Sequence, residues 1–168
     1  PEPILSVIQE MKQTACNRFN SCASLNSPPH ITLHMPFRWK RKKEDILHQF
    51  FDDYNVNTEP FKIKIDGIDH FGDRVIFLSI GGNTVLKHFQ SALAKSMKQN
   101  LNLFNVNYKD QPFHPHITLA FRDLKKQYFD EAFAYFKSLD YSESFVADQF
   151  SLLKHDEKKW QVFKNYCF

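Results

Sequence analysis

Cysteine, glycine, long apolar runs and excess charge of either sign are all scarce in this chain of 168 residues. Its three cysteines, Cys16, Cys22 and Cys167, are odd in number and never spaced as CxxC. That argues against a disulfide framework and against a four-ligand zinc site, and leaves burial as small apolar side chains as the expectation. Four glycines and eight prolines among evenly scattered charges make no low-complexity tract and no linker that would divide the chain. The longest apolar runs are strand-sized, and no charged start precedes an apolar stretch, so neither a bilayer span nor a signal peptide is read and a cytoplasmic protein is expected. The net charge of +3 and pI near 8.7 permit a nucleic-acid partner without demanding one.

What the chain does have is an apolar fraction of 42% that includes eighteen phenylalanines, enough to fill the interior of one domain over 1–168. Ile4, Leu5, Ile8, Met11, Ala15 and Phe19 follow helical spacing, and Ser27-Pro28-Pro29 turns into an expected strand from Ile31 to Phe37. A helix over Lys43–Tyr54, a strand from Phe61 to Ile65 and a strand from Val75 to Ile80 follow. The order then repeats: helix Thr84–Leu101, strand Ile117–Phe121, helix Gln127–Leu139, and strands near Phe145–Lys154 and Trp160–Tyr166. This is an α+β pattern in two matching halves, about 1–82 and 83–168.

One pentapeptide occurs twice. Pro29-His30-Ile31-Thr32-Leu33 returns as Pro115-His116-Ile117-Thr118-Leu119. A chain this short repeats some pentapeptide by chance only about once in a hundred cases. The offset of 86 residues that superposes the histidines also carries Phe77 onto Phe163, which points to internal duplication. On a strand, residues two apart share a face about 7 Å apart, so His30 and Thr32 project together, as do His116 and Thr118. A lone His-x-Thr reads as ordinary strand sequence, whereas two copies in equivalent places point to one shared site across a cleft between lobes. Facing imidazoles suit phosphodiester cleavage at neutral pH, one neutral ring taking a proton and the other, charged, supplying one. The threonine hydroxyls are placed to bind the non-bridging oxygens. This chemistry needs no metal and no cofactor.

With their flanks, the motifs read Ser27-Pro28-Pro29-His30-Ile31-Thr32-Leu33 and Phe113-His114-Pro115-His116-Ile117-Thr118-Leu119-Ala120. In these, over nearly its whole length, the chain resembles the two-histidine (2H) phosphoesterase superfamily, and within it the branch of 2′-5′ RNA ligases and RNA 2′,3′-cyclic phosphodiesterases. The resemblance implies a bilobal fold with two antiparallel sheets around a central cleft. It also implies metal-free opening of a cyclic phosphate to a 2′-phosphomonoester, with His30 as proton donor and His116 as acceptor. Members of the family usually begin with a strand before the first helix, whereas this chain enters its helix directly, so an absent strand and an open sheet edge are expected.

Positive charge follows each motif: Arg38-Trp39-Lys40-Arg41-Lys42-Lys43 after the first, and Arg122, Lys125 and Lys126 after the second. Arg122, Arg38 and Trp39 are the substrate-binding candidates, Arg122 also matching the family pattern, and Trp39 offers a surface for base stacking. His34 and His114 extend the motif alternation, but no cysteine or carboxylate sits at ligand spacing in either motif, so no metal site is read. Asp66, Asp69, His70 and Asp73 are read as hairpin-turn chemistry, Gly81-Gly82-Asn83 as a chain reversal, and Lys154–Lys159 as the polar tip of the last hairpin, with reach to substrate as the alternative. The expected partners of a monomeric chain are RNA ends or small cyclic nucleotides, with no membrane. The competing readings are a phosphodiesterase of small cyclic nucleotides or of ADP-ribose cyclic phosphate, and a nucleotide- or RNA-binding module with little turnover.

Overall fold

The computed structural model describes residues 1–54, 58–104 and 112–168. Helical spacing at the start of the chain produces α1 (Ile4–Phe19), which buries Ile4, Ile8, Met11, Ala15 and Phe19 in one stripe. It stops where Asn20 takes a left-handed φ of 53°. That reversal folds the chain back on the last helical turn and brings Cys22 to a Cα separation of 4.2 Å from Cys16, with which it forms a disulfide. The expectation of three buried thiols is corrected here: two are bonded and Cys167 is exposed. Spacing rules for disulfide-rich domains do not detect a bridge that depends on one left-handed residue.

The remaining elements are α2 (Glu44–Asp52), β1 (Phe61–Phe71), β2 (Val75–Ile80), α3 (Thr84–Leu101), β3 (His116–Ala120), α4 (Lys126–Ser138), β4 (Ser142–Ala147), β5 (Gln149–Asp156) and β6 (Lys159–Cys167). They make an α+β fold with two antiparallel sheets, one in the order β3-β2-β1-β4 and the other the pair β5-β6. The larger sheet thus takes β1 and β2 from early in the chain and β3 and β4 from late in it. β1 runs longer than its alternating core, because a bulge at Gly67, with φ of 78°, shifts the register between Ile65 and Ile68. The extra residue lets Ile63, Ile65 and Ile68 all face inward. Asn83 closes the reversal after Gly81-Gly82 by accepting the Leu86 N–H at 2.8 Å, which caps α3.

Each sheet covers its own core. Ile8, Met11 and Phe19 of α1 and Phe129 and Phe136 of α4 pack on the four-stranded sheet. Leu47 and Phe51 of α2, with Phe89, Leu93 and Met97 of α3, pack on Phe150 and Tyr166 of the smaller sheet. Full burial of such side chains contributes about 1.5–3 kcal/mol each. Leu33, from the first pentapeptide, touches both cores, so its segment runs between the lobes.

That segment is not the expected strand: 31–37 is irregular. A strand exists only against a neighbouring backbone, and among the described strands none pairs with it. Its polar groups bond elsewhere. Gln90 donates to Leu33 O at 3.1 Å and His34 Nδ1 bonds Met35 O at 2.8 Å, while Pro36 has no N–H to offer a ladder. The second copy does form a strand, β3, paired with β2 through Thr118 opposite Phe77 and His116 opposite Ser79.

Candidate active site

On β3 the pleat separates the second motif into two faces. Ile117 and Leu119 are 4% and 0% exposed and face the core, while His116 and Thr118 remain partly open. The His116 ring lies against an aromatic wall, with Phe71 at 5.2 Å, Phe77 at 4.9 Å and His114 at 6.3 Å between centroids. Phe77, on a strand flanked by β1 and β3, is fully buried, whereas its repeat counterpart Phe163 is 43% exposed on β6, which among the described strands pairs with β5 alone.

The two histidines are held alike despite this difference in backbone. His30 Nδ1 bonds the carbonyl of Pro28 at 2.7 Å, and His116 Nδ1 bonds the carbonyl of His114 at 2.7 Å. In both cases the partner is the carbonyl two residues upstream. A carbonyl only accepts, so each Nδ1 carries the hydrogen, and each neutral ring presents the Nε2 lone pair to react. Burial lowers the His30 pKa; the bond to Pro28 opposes the shift and the charge of Lys12 adds to it. Burial likewise lowers His116, with the bond to His114 opposing and the charges of His114 and His30 adding. Although His30 has surface open to the cleft, protein surrounds the rest of its ring, and that enclosure governs the shift.

A cleft of about 850 Å³ opens here, lined by His30, Thr32, Thr118, Arg122 and Trp39 among others. This is the size of a small-molecule or nucleotide site. Arg122 stands directly behind β3 at a left-handed φ of 60°, its guanidinium 5.0 Å from the Phe121 ring. The Trp39 indole N–H donates to Lys43 O at 2.7 Å, so this side chain also fastens the basic loop. Arg38 is exposed and is not part of the cleft lining. Among the described residues no three His, Cys, Asp or Glu side chains gather as metal ligands.

Sequence reasoning passed over Lys12, Ser24 and Asp123. Lys12 and Ser24 line the cleft from α1 and the turn after it. Asp123 accepts hydrogen bonds from Ser21 Oγ at 2.9 Å and from the N–H groups of Cys22 and Ala23 at 2.8 Å each, tying the end of the second motif to the approach of the first. A lysine inside an otherwise apolar helical stripe was the available signal for the first of these. The hairpin tip also contributes more than a polar turn, since Lys154, His155, Lys158 and Trp160 line the cleft.

His30 lines this cleft, whereas His116, on β3 beside the lining residues Ile117 and Thr118, is not among its lining residues and feels the charge of His30. Two lobes that carry a tethered histidine from each copy of a repeated motif are the architecture of a two-histidine phosphoesterase. The profile of the 2′-5′ RNA ligase superfamily matches residues 1–159, and the chain belongs to that family. It is 26% identical over 162 residues to a Geobacillus thermodenitrificans protein named "Putative phosphoesterase", a match covering 95% of this chain and 88% of that one. Among solved structures, TT0787 of Thermus thermophilus superposes with a TM-score of 0.67 at 17% identity, covering 99% of this chain and 92% of that one. Escherichia coli LigT complexed with 3′-AMP superposes at 0.63 and 18% identity, covering 96% and 91%. At these identities the structural matches speak for the fold. No helix among the described residues is long and apolar enough to cross a membrane.

Proposed function

We propose that the protein is a metal-independent phosphodiesterase that opens 2′,3′-cyclic phosphate ends of RNA to 2′-phosphates. The observation that carries this reading is the matched tethering of His30 and His116, each Nδ1 fixed to the carbonyl two residues upstream. Neutral His116 takes a proton from water as its oxygen attacks phosphorus. The bond from phosphorus to O3′ breaks, and charged His30 delivers its proton to the departing O3′, leaving a 2′-phosphomonoester and a 3′-hydroxyl. Thr32 and Thr118 donate to the non-bridging oxygens as charge gathers there. Arg122 binds substrate phosphate, and Trp39 with the basic loop around Arg38 receives the chain beyond it. LigT bound to 3′-AMP supports a nucleotide ligand for this fold. With the 5′-hydroxyl of a second RNA in place of water, the same displacement of O3′ forms a 2′-5′ linkage.

The test is turnover of a short RNA ending in a 2′,3′-cyclic phosphate, with EDTA present, by the parent chain, His30→Ala and His116→Ala. The expected result is a 2′-phosphate product from the parent, with kcat lowered about 10²–10⁴-fold in each variant. Equal rates in all three would refute the two-histidine assignment. An RNA left intact while small cyclic nucleotides are opened would move the substrate to that class, and saturable nucleotide binding without product would make the protein a binding module.

A further inference from the structure

Lys12 is out of character with the helix that carries it. It sits in the buried stripe of α1 beside Met11 and Ala15 and is 2% exposed, the same as Ile8. Its ammonium donates to Ser27 O at 2.5 Å. Among the described residues it joins no ion pair, and burial alone brings its pKa down, to about 8. A buried cation is ordinarily matched by an anion, and this one has used one of three donors. A second observation lies close by, in the turn after the helix. Ser24 is 2% exposed, and its Oγ has no hydrogen-bond partner among the described residues. The two are linked through Ser27, whose N–H bonds Ser24 O at 3.4 Å while its carbonyl takes Lys12. Lys12, Ser24 and His30 all line the cleft, and the charge of Lys12 acts on His30. An uncompensated cation and an unpaired hydroxyl on one wall, beside the reacting imidazole, call for an anion with accepting oxygens.

We infer that Lys12 and Ser24 form an anion pocket beside His30, in which Nζ and Oγ each donate a hydrogen bond to a non-bridging oxygen of a substrate phosphoryl group. The inference rests on the phosphodiesterase reading and adds to it the residues that neutralise the phosphoryl charge on the His30 side. It separates charge from fold: the ammonium serves the ligand, and the protein stands without it.

The probe is inorganic phosphate, titrated calorimetrically into the parent chain, Lys12→Met and Ser24→Ala, with thermal unfolding of each. Lys12→Met keeps the volume and removes the charge. The expected results are about ten- to a hundredfold weaker phosphate binding in Lys12→Met, a smaller loss in Ser24→Ala, and a Lys12→Met melting temperature equal to or above that of the parent. Absence of saturable phosphate binding by the parent, or parent-like affinity in both variants, overturns the pocket. So does a destabilised Lys12→Met together with parent-like binding by Ser24→Ala, because Lys12 is then only a tether for the Ser27 loop. Turnover then locates the phosphoryl group. Equal slowing by Lys12→Met of a cyclic mononucleotide and of a dinucleotide places the reacting phosphoryl in the pocket. Slowing of the dinucleotide alone places the flanking one there. If the parent opens neither substrate, the phosphodiesterase reading fails, and the phosphate titration still decides the pocket.

Discussion

Replacing Asp123 by alanine cuts the tie between the two motifs without touching either histidine. The carboxylate receives three hydrogen bonds, from Ser21 Oγ and from the N–H groups of Cys22 and Ala23. Ser21 is 0% exposed, so its orphaned hydroxyl costs about 1–3 kcal/mol. The two N–H groups are solvent-accessible and regain water, which holds their share to about 0.5 kcal/mol each. The total is about 2–4 kcal/mol, which for a chain of this length lowers Tm by about 4–16 °C. Asp123→Asn provides the control. Its amide oxygen accepts both N–H groups and its NH₂ donates to the Ser21 oxygen, so the loss should be about 1 kcal/mol. Chemical denaturation of the three proteins, with kcat/KM for each, is the assay. A loss below about 0.5 kcal/mol in Asp123→Ala, or equal losses in the two variants, would refute the bonding scheme.

Four further outcomes follow from the same geometry. Both histidines have folded pKa values below 6.5, so the form with one ring charged and one neutral peaks on the acid side of that value. A kcat/KM profile with its maximum at or above about pH 7.5 would contradict this. Stability should respond as well: as pH falls below 6.5 the unfolded chain takes up these protons before the folded one, so denaturation midpoints should drop with pH in that range. Thr118→Val, which keeps the β-branched shape on β3, should fold normally and lose about 10- to 100-fold in kcat, with KM little changed if the hydroxyl acts in the transition state. Reducing the Cys16–Cys22 bond, which closes a loop with a sequence separation of 6, should cost about 2 kcal/mol, read as a lower denaturant midpoint with an unchanged slope.

Periodicity made most of the fold legible. The stripe from Ile4 to Phe19 and the run from Thr84 to Leu101 gave helices with the expected ends, since each is closed by an asparagine, Asn20 or Asn102, at positive φ. The strand Val75–Ile80 was equally plain, being buried on both faces. What failed was anything decided by a distant neighbour. Residues 31–37 alternate as well as 116–120 do, yet among the described strands only the second has a partner, and pattern does not reveal whether a partner strand is there. The disulfide depended on the turn at Asn20. Of the candidate site, the repeat picked out His30, Thr32, His116 and Thr118, because its letters recur. Asp123 has no counterpart at the 86-residue offset, where Phe37 stands; Lys12 has one, Lys98, in the shorter repeated run Met11-Lys12-Gln13 and Met97-Lys98-Gln99, and only the fold shows that the first lysine is buried and the second exposed.

The interleaving of early and late strands in the larger sheet sets a timetable for the chain as it folds. β1 and β2 meet across a short turn and can pair as soon as both exist, but β1 must then wait for Ala147 to arrive opposite Phe61. The bonds that position the histidine segments span comparable stretches, 57 residues for Gln90 to Leu33 and 102 for Ser21 to Asp123. Closing loops of that length is slow relative to forming α1 or α3. The cleft is therefore expected to form late in refolding: the helical signal returns first, and the cleft is complete only when the segments around Ser21 and Phe61 have met those around Asp123 and Ala147.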